Sequence, residues 1–307
     1  MSDSDGILLK GLDGSNPLAF LAALGTLRTL TLALPDETVR MSWQQHEGAW
    51  RPVLSIEGTY SVDELIEILD TQLKAANTRA SFSIGDNLNV LSSVFREHLI
   101  SAFNEFVLTG NRDDVDFFAA FGCEACTNDE GVIEDTDLRT MSGGGHQHFL
   151  KFFRDLVAKT ESSHIRRALL HTWDYADDGR GLNLRWDPAD DRRYATRWDD
   201  PSCDPIKTMR GANRLAIEAL PSLPTMPAAS GLATTCFEGS GARDTFFVWP
   251  IWSCGITVDV VRSLLAKAVD LRSMDETDRA AIGASSVFSS QRITTGKYRN
   301  FTPAQAI

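Results

Sequence analysis

Cysteine is scarce in this chain: Cys123, Cys126, Cys203, Cys236 and Cys254 are five residues, an odd number, spread thinly over 307 positions. That usage argues against a disulfide framework and for a reducing compartment. The opening MSDSDGILLK has no basic region followed by an apolar stretch, so no signal peptide is read there and a cytoplasmic protein is expected. A long apolar run is also missing. The most apolar segment, residues 17–35, is interrupted by Thr26, Arg28, Thr29 and Thr31 and falls short of the roughly 20 apolar residues of a membrane span, so it reads as a buried helix and no membrane partner is expected. No G-x-x-x-x-G-K-[ST] loop occurs, and Gly239-Ser240-Gly241 lacks the third glycine and preceding strand of a dinucleotide fingerprint and reads as a turn. No nucleophile stands in an elbow or beside a marked base, which leaves no self-sufficient catalytic centre and no cofactor in the reading.

Positive charge is in deficit. The formal net charge is -12, and a field of that sign repels phosphate at long range, which argues against a generic binder of polyanions. Local binding remains open, because charge is unevenly placed: acidic residues crowd positions 113–137 and 174–204, while Arg192, Arg193, Arg197, Arg210 and Arg214 gather in one stretch. A local cationic site on an acidic protein suits docking into a larger complex.

What is present is a globular composition, 43% hydrophobic and 23% charged, enough for one large domain or two smaller ones. Residues 7–9 read as a strand closed by the turn Gly11-Leu12-Asp13-Gly14. Ser15 or Asn16 then caps a helix with Pro17 in its first turn and apolar residues on most sides, the central packing element of the N-terminal half. Segments 39–43 and 50–56 form a hairpin, and Ser61 with Glu64 makes a capping box for an amphipathic helix over 61–76. Helices follow at 90–106 and 114–121. Residues 127–145, acidic and ending in three glycines, read as a long loop or boundary. Helices resume from 146 to 160 and from 163 to 173. Structured loops and strands come next, with a short helix over 211–220, strands at 232–237 and 246–252, a helix capped by Thr257, and a strand within 287–301. No repeat and no low-complexity linker divides the chain. The expected class is α+β: a helix-rich lobe, residues 1–140, carrying a small hairpin and packed closely against a mixed α/β lobe, residues 141–307.

Four constellations bear on chemistry. Cys123-x-x-Cys126 with His146-x-His148 has ligand types suited to zinc, but an isolated C-x-x-C more often holds two small buried residues, and that reading is preferred. Gly143-Gly144-Gly145 before His146, Gln147 and His148 could expose backbone N–H groups to an anion at a helix start. Here too a flexible lead-in to a helix whose histidines satisfy core hydrogen bonds is preferred. Asp187, Asp190, Asp191, Asp199, Asp200 and Asp204 could hold Mg²⁺ for phosphodiester hydrolysis, yet Arg185, Arg192, Arg193 and Arg197 interleave with them and favour bidentate ion pairs. Trp186, Trp198, Trp249 and Trp252 could stack bases beside those arginines or belong to the core, with Trp198 the better surface candidate.

The segments LKGLDGSNPLAFLAALGTLR, GGGHQHFL, LRWDPADDRRYATRWDDPS and RGANRLAIEALPSLPT together resemble a CRISPR-associated family of type I-G (formerly I-U) systems, related to the Cascade large subunit and found also as an extension of the helicase-nuclease. The resemblance implies a non-catalytic subunit in RNA-guided recognition of foreign DNA, where the guide reads sequence and protein subunits read a short flanking motif or hold the displaced strand. It implies other effector subunits with guide RNA as partners, with target DNA and the helicase-nuclease as further ones. It directs attention to His146, Gln147, His148, Arg192, Arg193, Tyr194, Arg197, Trp198, Arg210, Asn213 and Arg214 as a nucleic-acid or subunit interface. The acidic net charge departs from a dedicated DNA clamp.

Overall fold

One helix, α1 (Pro17–Ala33), organises the structure, a computed structural model that describes residues 6–142, 147–180, 182–190, 206–229, 231–241, 243–295 and 298–307. The Asn16 side chain accepts from the backbone N–H groups of Leu18 and Ala19, and Pro17 fills the first position, where no N–H is needed. Every residue from Pro17 to Leu30 is buried. Three of the four polar interruptions that ruled out a membrane span have partners inside the protein: Thr26 donates to the Ala22 carbonyl, Thr31 to that of Leu27, and Arg28 is ion-paired, while the buried Thr29 hydroxyl has no hydrogen-bond partner among the described residues. On one side α1 meets α7 (Arg210–Ile217) backbone to backbone, since a Cβ on Gly25 would lie 1.8 Å from the Leu215 carbonyl oxygen. The helix also packs on α2 (Val62–Ala75), whose Ser61–Glu64 capping box is formed in both directions.

Two sheets are joined around the other side. The first has the order β1-β3-β2, all antiparallel, from β1 (Ile7–Leu8), β2 (Val39–His46) and β3 (Ala49–Ile56). Its hairpin turns on Glu47 and Gly48, both at positive φ (51° and 78°), the two-residue geometry that matches strand twist. The second sheet has the order β10-β11-β12-β13, from β10 (Phe237–Glu238), β11 (Thr245–Ile251), β12 (Ser286–Thr295) and β13 (Tyr298–Phe301), with β14 (Gln305–Ala306) also on β12. Met41 of β2 exchanges backbone hydrogen bonds with Ile256, and Trp43 N–H donates to the Trp252 carbonyl, so the two sheets meet just past β11. Phe20 of α1 lies 6.0 Å from Trp43 and 5.7 Å from Trp249, ring centroid to centroid, and seats the helix at this junction.

The remaining helices build a second aromatic cluster. They are α3 (Ser92–Thr109), α4 (Asp113–Phe121), α5 (Phe149–Lys159) and α6 (Ser162–Leu170). Phe82, Phe117, Phe121 and Phe153 pack at edge or tilted angles, and Trp186 closes the cluster against Phe149 and Phe153. Short antiparallel pairs add β4 (Gly122–Thr127) with β5 (Ile133–Asp135), β6 (Asp177–Asp178) with β7 (Lys207–Thr208), and β8 (Thr225–Ala228) with β9 (Gly231–Thr234). The chain then adds α8 (Val258–Leu265), α9 (Ala268–Ser273) and α10 (Glu276–Ala281).

The α+β class holds, with helices and sheets in both halves. One hydrophobic core runs without interruption from Leu9 to Phe301. Two local expectations change. The stretch expected as a loop over 127–145 contains β5 and buries Leu138 and Met141, because the β4–β5 pair carries it back over the core. The single strand expected at 232–237 is two, β9 and β10, separated at Cys236, whose φ of 69° breaks the extended run. Among the described residues no helix is long and apolar enough to cross a membrane.

Candidate functional site

Two of the segments singled out by sequence meet at the N-terminus of α1. Asn16 accepts helix N–H groups through Oδ1, which leaves its Nδ2 to donate to Asp187 Oδ1 at 3.0 Å, across 171 positions of chain. The same Asp187 oxygen accepts from Ala189 N–H at 2.9 Å and so closes the 3-10 turn Pro188–Asp190. Trp186 anchors the turn from behind, its indole N–H donating to the Leu138 carbonyl at 2.8 Å. Asp187 is buried, and among the described residues no cation pairs with it. Burial raises its carboxyl above the ordinary range, and the hydrogen bonds from Ala189 N–H and the Asn16 amide, with the Tyr175 hydroxyl nearby, offset this only in part. Tyr175 is pushed up by burial and then by the Asp187 charge. Among the described residues Asp187 is therefore held by the Asn16 and Ala189 amides, while Arg192, Arg193 and Arg197, expected near it from sequence, lie outside the described residues.

Asn213 supports the same region from below. Its Oδ1 accepts from Leu184 N–H at 2.9 Å, and its Nδ2 donates to Thr208 Oγ1 and the Met209 carbonyl. Arg214 is fully buried, with NH1 2.7 Å from Glu218 Oε1 and NH2 donating to the Leu73 carbonyl. Glu218 also binds Arg79 at 2.6 and 2.8 Å and Arg28 at 3.3 Å, and Asp113 bridges Arg28 and Arg79 from the other side. Burial opposes the Glu218 charge, but Arg79 and Arg214 outweigh it and pull its carboxyl far below the usual range. Asn213 and Arg214, expected at an interface, are interior residues bonded to partners within the chain.

Arg210 is half-buried. Its NH1 donates to the Lys159 carbonyl at 3.3 Å and lies 3.2 Å from His164 Nε2, and its backbone N–H donates to Asp177. Gln147 is buried. His148 Nδ1 lies 3.1 Å from Asn87 Nδ2, and Asn87 Oδ1 accepts from Phe149 N–H at 2.8 Å. The Asp86 carbonyl accepts from Leu150 and Lys151 N–H, so three N–H groups at the start of α5 are already occupied, which favours the structural reading of this histidine segment over an anion site. His146, Arg192, Arg193, Tyr194, Arg197 and Trp198 lie outside the described residues, as do Gly143–Gly145, Asp191, Asp199, Asp200 and Asp204.

Three tryptophans take the core reading of the two left open by sequence. Trp186, Trp249 and Trp252 are fully buried, and the Trp249 and Trp252 indoles donate to the Gly14 and Met41 carbonyls, so none of the three offers a stacking surface. Cys123 and Cys126 sit side by side in β4, where burial and then its neighbour push the Cys126 thiol up. Among the described residues no group of three or more His, Cys, Asp or Glu side chains could hold a metal ion.

Sequence reasoning missed a second arginine cluster, Arg139, Arg292 and Arg299 with Asp135 and Asp137. Arg139 pairs with Asp135 at 2.7 Å and Arg292 with Asp137 at 2.9 Å. The pairing partners of Arg292 lie 155 positions away, beyond any local pattern. Compared with known proteins, the chain matches no family model and no curated protein.

Proposed function

We propose that this protein is a non-catalytic subunit of a type I-G CRISPR interference complex, working in the cytoplasm with other effector subunits and guide RNA. The observation that supports this reading is the Asn16–Asp187 hydrogen bond. It joins the two segments that carry the family resemblance, LDGSNPLAF and LRWDP, although they are 171 positions apart in sequence. The Arg/Trp-rich stretch that includes Arg192, Arg193, Arg197 and Trp198 follows directly from this pinned turn, so its root is fixed to the rigid N-terminus of the central helix. A subunit that presents cationic and aromatic groups to a strand or a neighbouring subunit benefits from such an anchor.

The test is co-expression of the tagged chain with the neighbouring subunits and a guide RNA, followed by pull-down and mass measurement. Entry into a ribonucleoprotein supports the reading. Normal assembly of the other subunits without this chain would sink it.

A second reading, a module bridging the effector to its helicase-nuclease, draws support from α3. Ile100, Phe103 and Val107 are 53%, 52% and 65% exposed along one face of that helix, an apolar stripe suited to a protein partner. Co-purification with the helicase-nuclease in the absence of guide RNA would favour it over the first.

A further inference from the structure

The Arg139, Arg292 and Arg299 cluster differs from the other buried arginine cluster in one respect. Around Glu218 and Asp113, each of Arg28, Arg79 and Arg214 has a carboxylate in contact. No guanidinium of that network lacks a contacting carboxylate. In the second cluster three guanidinium groups share two carboxylates. Asp135 holds Arg139 and Asp137 holds Arg292, while Arg299 makes no ion pair among the described residues and donates only to the Arg139 carbonyl, at 3.1 Å.

The strand register explains why the three converge. In β12 and β13, Arg292 pairs with Phe301 and Thr294 with Arg299, so Arg292 and Arg299 share one face as diagonal neighbours. The segment after β5 lays Asp135, Asp137 and Arg139 against that face, and the Pro188–Asp190 turn packs on β13 beside it. Among the described residues Arg299 has no carboxylate in contact, and its surroundings are largely desolvated. Burial, and then the charges of Arg292 and Arg139, disfavour the Arg299 cation. Among the described residues the buried Nε atoms of Arg139 and Arg292 have no hydrogen-bond partner, a feature shared with Arg28 and Arg214 of the first cluster. A half-buried guanidinium crowded by like charges and touched by no carboxylate weakens a fold, and Arg299 is the one member of either cluster so placed among the described residues, an arrangement suited to a ligand oxyanion.

We infer that Arg299, backed by Arg292 and Arg139, is an oxyanion site that takes a phosphate group. Arg299 is half-buried and keeps an open side, and its planar fork matches two phosphate oxygens. The oxyanion chemistry stands on these residues alone. That a nucleic-acid backbone supplies the phosphate rests on the effector-subunit reading above.

The experiment uses the full chain as wild type, Arg299→Gln and, as a control for loss of one exposed charge, Arg243→Gln. Thermal unfolding is followed while sodium phosphate replaces sodium chloride at constant ionic strength. The expected result is a saturable rise in Tm for wild type and Arg243→Gln and none for Arg299→Gln. Without phosphate, Arg299→Gln melts no lower than wild type, because the change removes a like charge from the cluster. A phosphate response that is the same in wild type and Arg299→Gln overturns the site. Binding of a single-stranded oligonucleotide across salt concentrations then separates the sources. A salt slope reduced by about 0.7 in Arg299→Gln assigns the site to a nucleic-acid strand, on the counterion release expected for one lost phosphate contact. An unchanged slope beside a phosphate-dependent Tm keeps the oxyanion site and removes the nucleic-acid source, independently of whether the chain enters a ribonucleoprotein.

Discussion

Asn16 and Asp187 share a 3.0 Å hydrogen bond in which one side chain serves two purposes: Asn16 caps the central helix with its oxygen and pins the 186–190 turn with its nitrogen. The helix start and the root of the Arg/Trp-rich stretch are consequently one structural unit. Replacing Asn16 by Ala removes both functions, and about 1–2 kcal/mol of stability is expected to go with the cap alone.

The Asp187 carboxyl predicts an unusual pH response. Its raised value means that the folded protein retains a proton which the unfolded chain has already lost, so the group's contribution to stability falls as pH rises from the ordinary carboxyl range through the raised folded value. Asp187→Asn keeps an acceptor for Asn16 and Ala189 and carries no charge. Its melting temperature should equal or exceed that of wild type at neutral pH, with the gap closing below about pH 4. A variant that melts well below wild type at neutral pH would show that the buried charge is not a liability.

Glu218 behaves in the opposite sense. Its lowered carboxyl contributes stability that is fully present above the ordinary glutamate range and is lost only as pH falls through the depressed folded value. Glu218→Gln leaves Arg79 and Arg214 buried without their shared counter-charge, and a loss of about 3–5 kcal/mol in urea unfolding is expected. Removing a partner as well, in Arg214→Met with Glu218→Leu, should recover much of that loss, which a purely steric role for Glu218 would not allow.

Gly25 sits where two helix backbones touch. Gly25→Ala improves helix propensity by about 1 kcal/mol, but the added methyl meets the Leu215 carbonyl oxygen and forces α1 from α7. Net destabilisation of about 1–3 kcal/mol is expected on calorimetry. A stabilised variant would mean that the two helices separate at little cost.

Core and interface tryptophans and arginines should divide cleanly. Trp249→Ala deletes a fully buried ring and its bond to the Gly14 carbonyl, with an expected cost of about 3–5 kcal/mol. Arg193→Ala with Arg197→Ala should leave the melting temperature near wild type while weakening complex assembly or target binding. Survival of both assembly and interference in that double variant would remove these arginines from the proposed interface.

The sequence by itself determined the local elements whose causes are local. Asn16 and Pro17 announce α1, Ser61 and Glu64 announce α2, and a two-residue turn at Glu47 and Gly48 closes the hairpin, because caps, fixed φ and positive φ act within a few residues. Side-chain partnership is set by the tertiary structure. Arg214 reads as an interface candidate and Trp186, Trp249 and Trp252 stay open between stacking surface and core in the sequence, and the packing decides both: Glu218 pairs with Arg214 from one helical turn away, and Gly14, Met41 and Leu138, between 48 and 235 positions distant, accept from the indoles. Arg299 shows the converse. Nothing near it in sequence marks it out, and only the register of β12 with β13, together with the return of the segment after β5, brings three arginines to two carboxylates. Burial and charge balance depend on contacts between distant parts of the chain, so they are decided when those parts pack together and cannot be read along the chain alone.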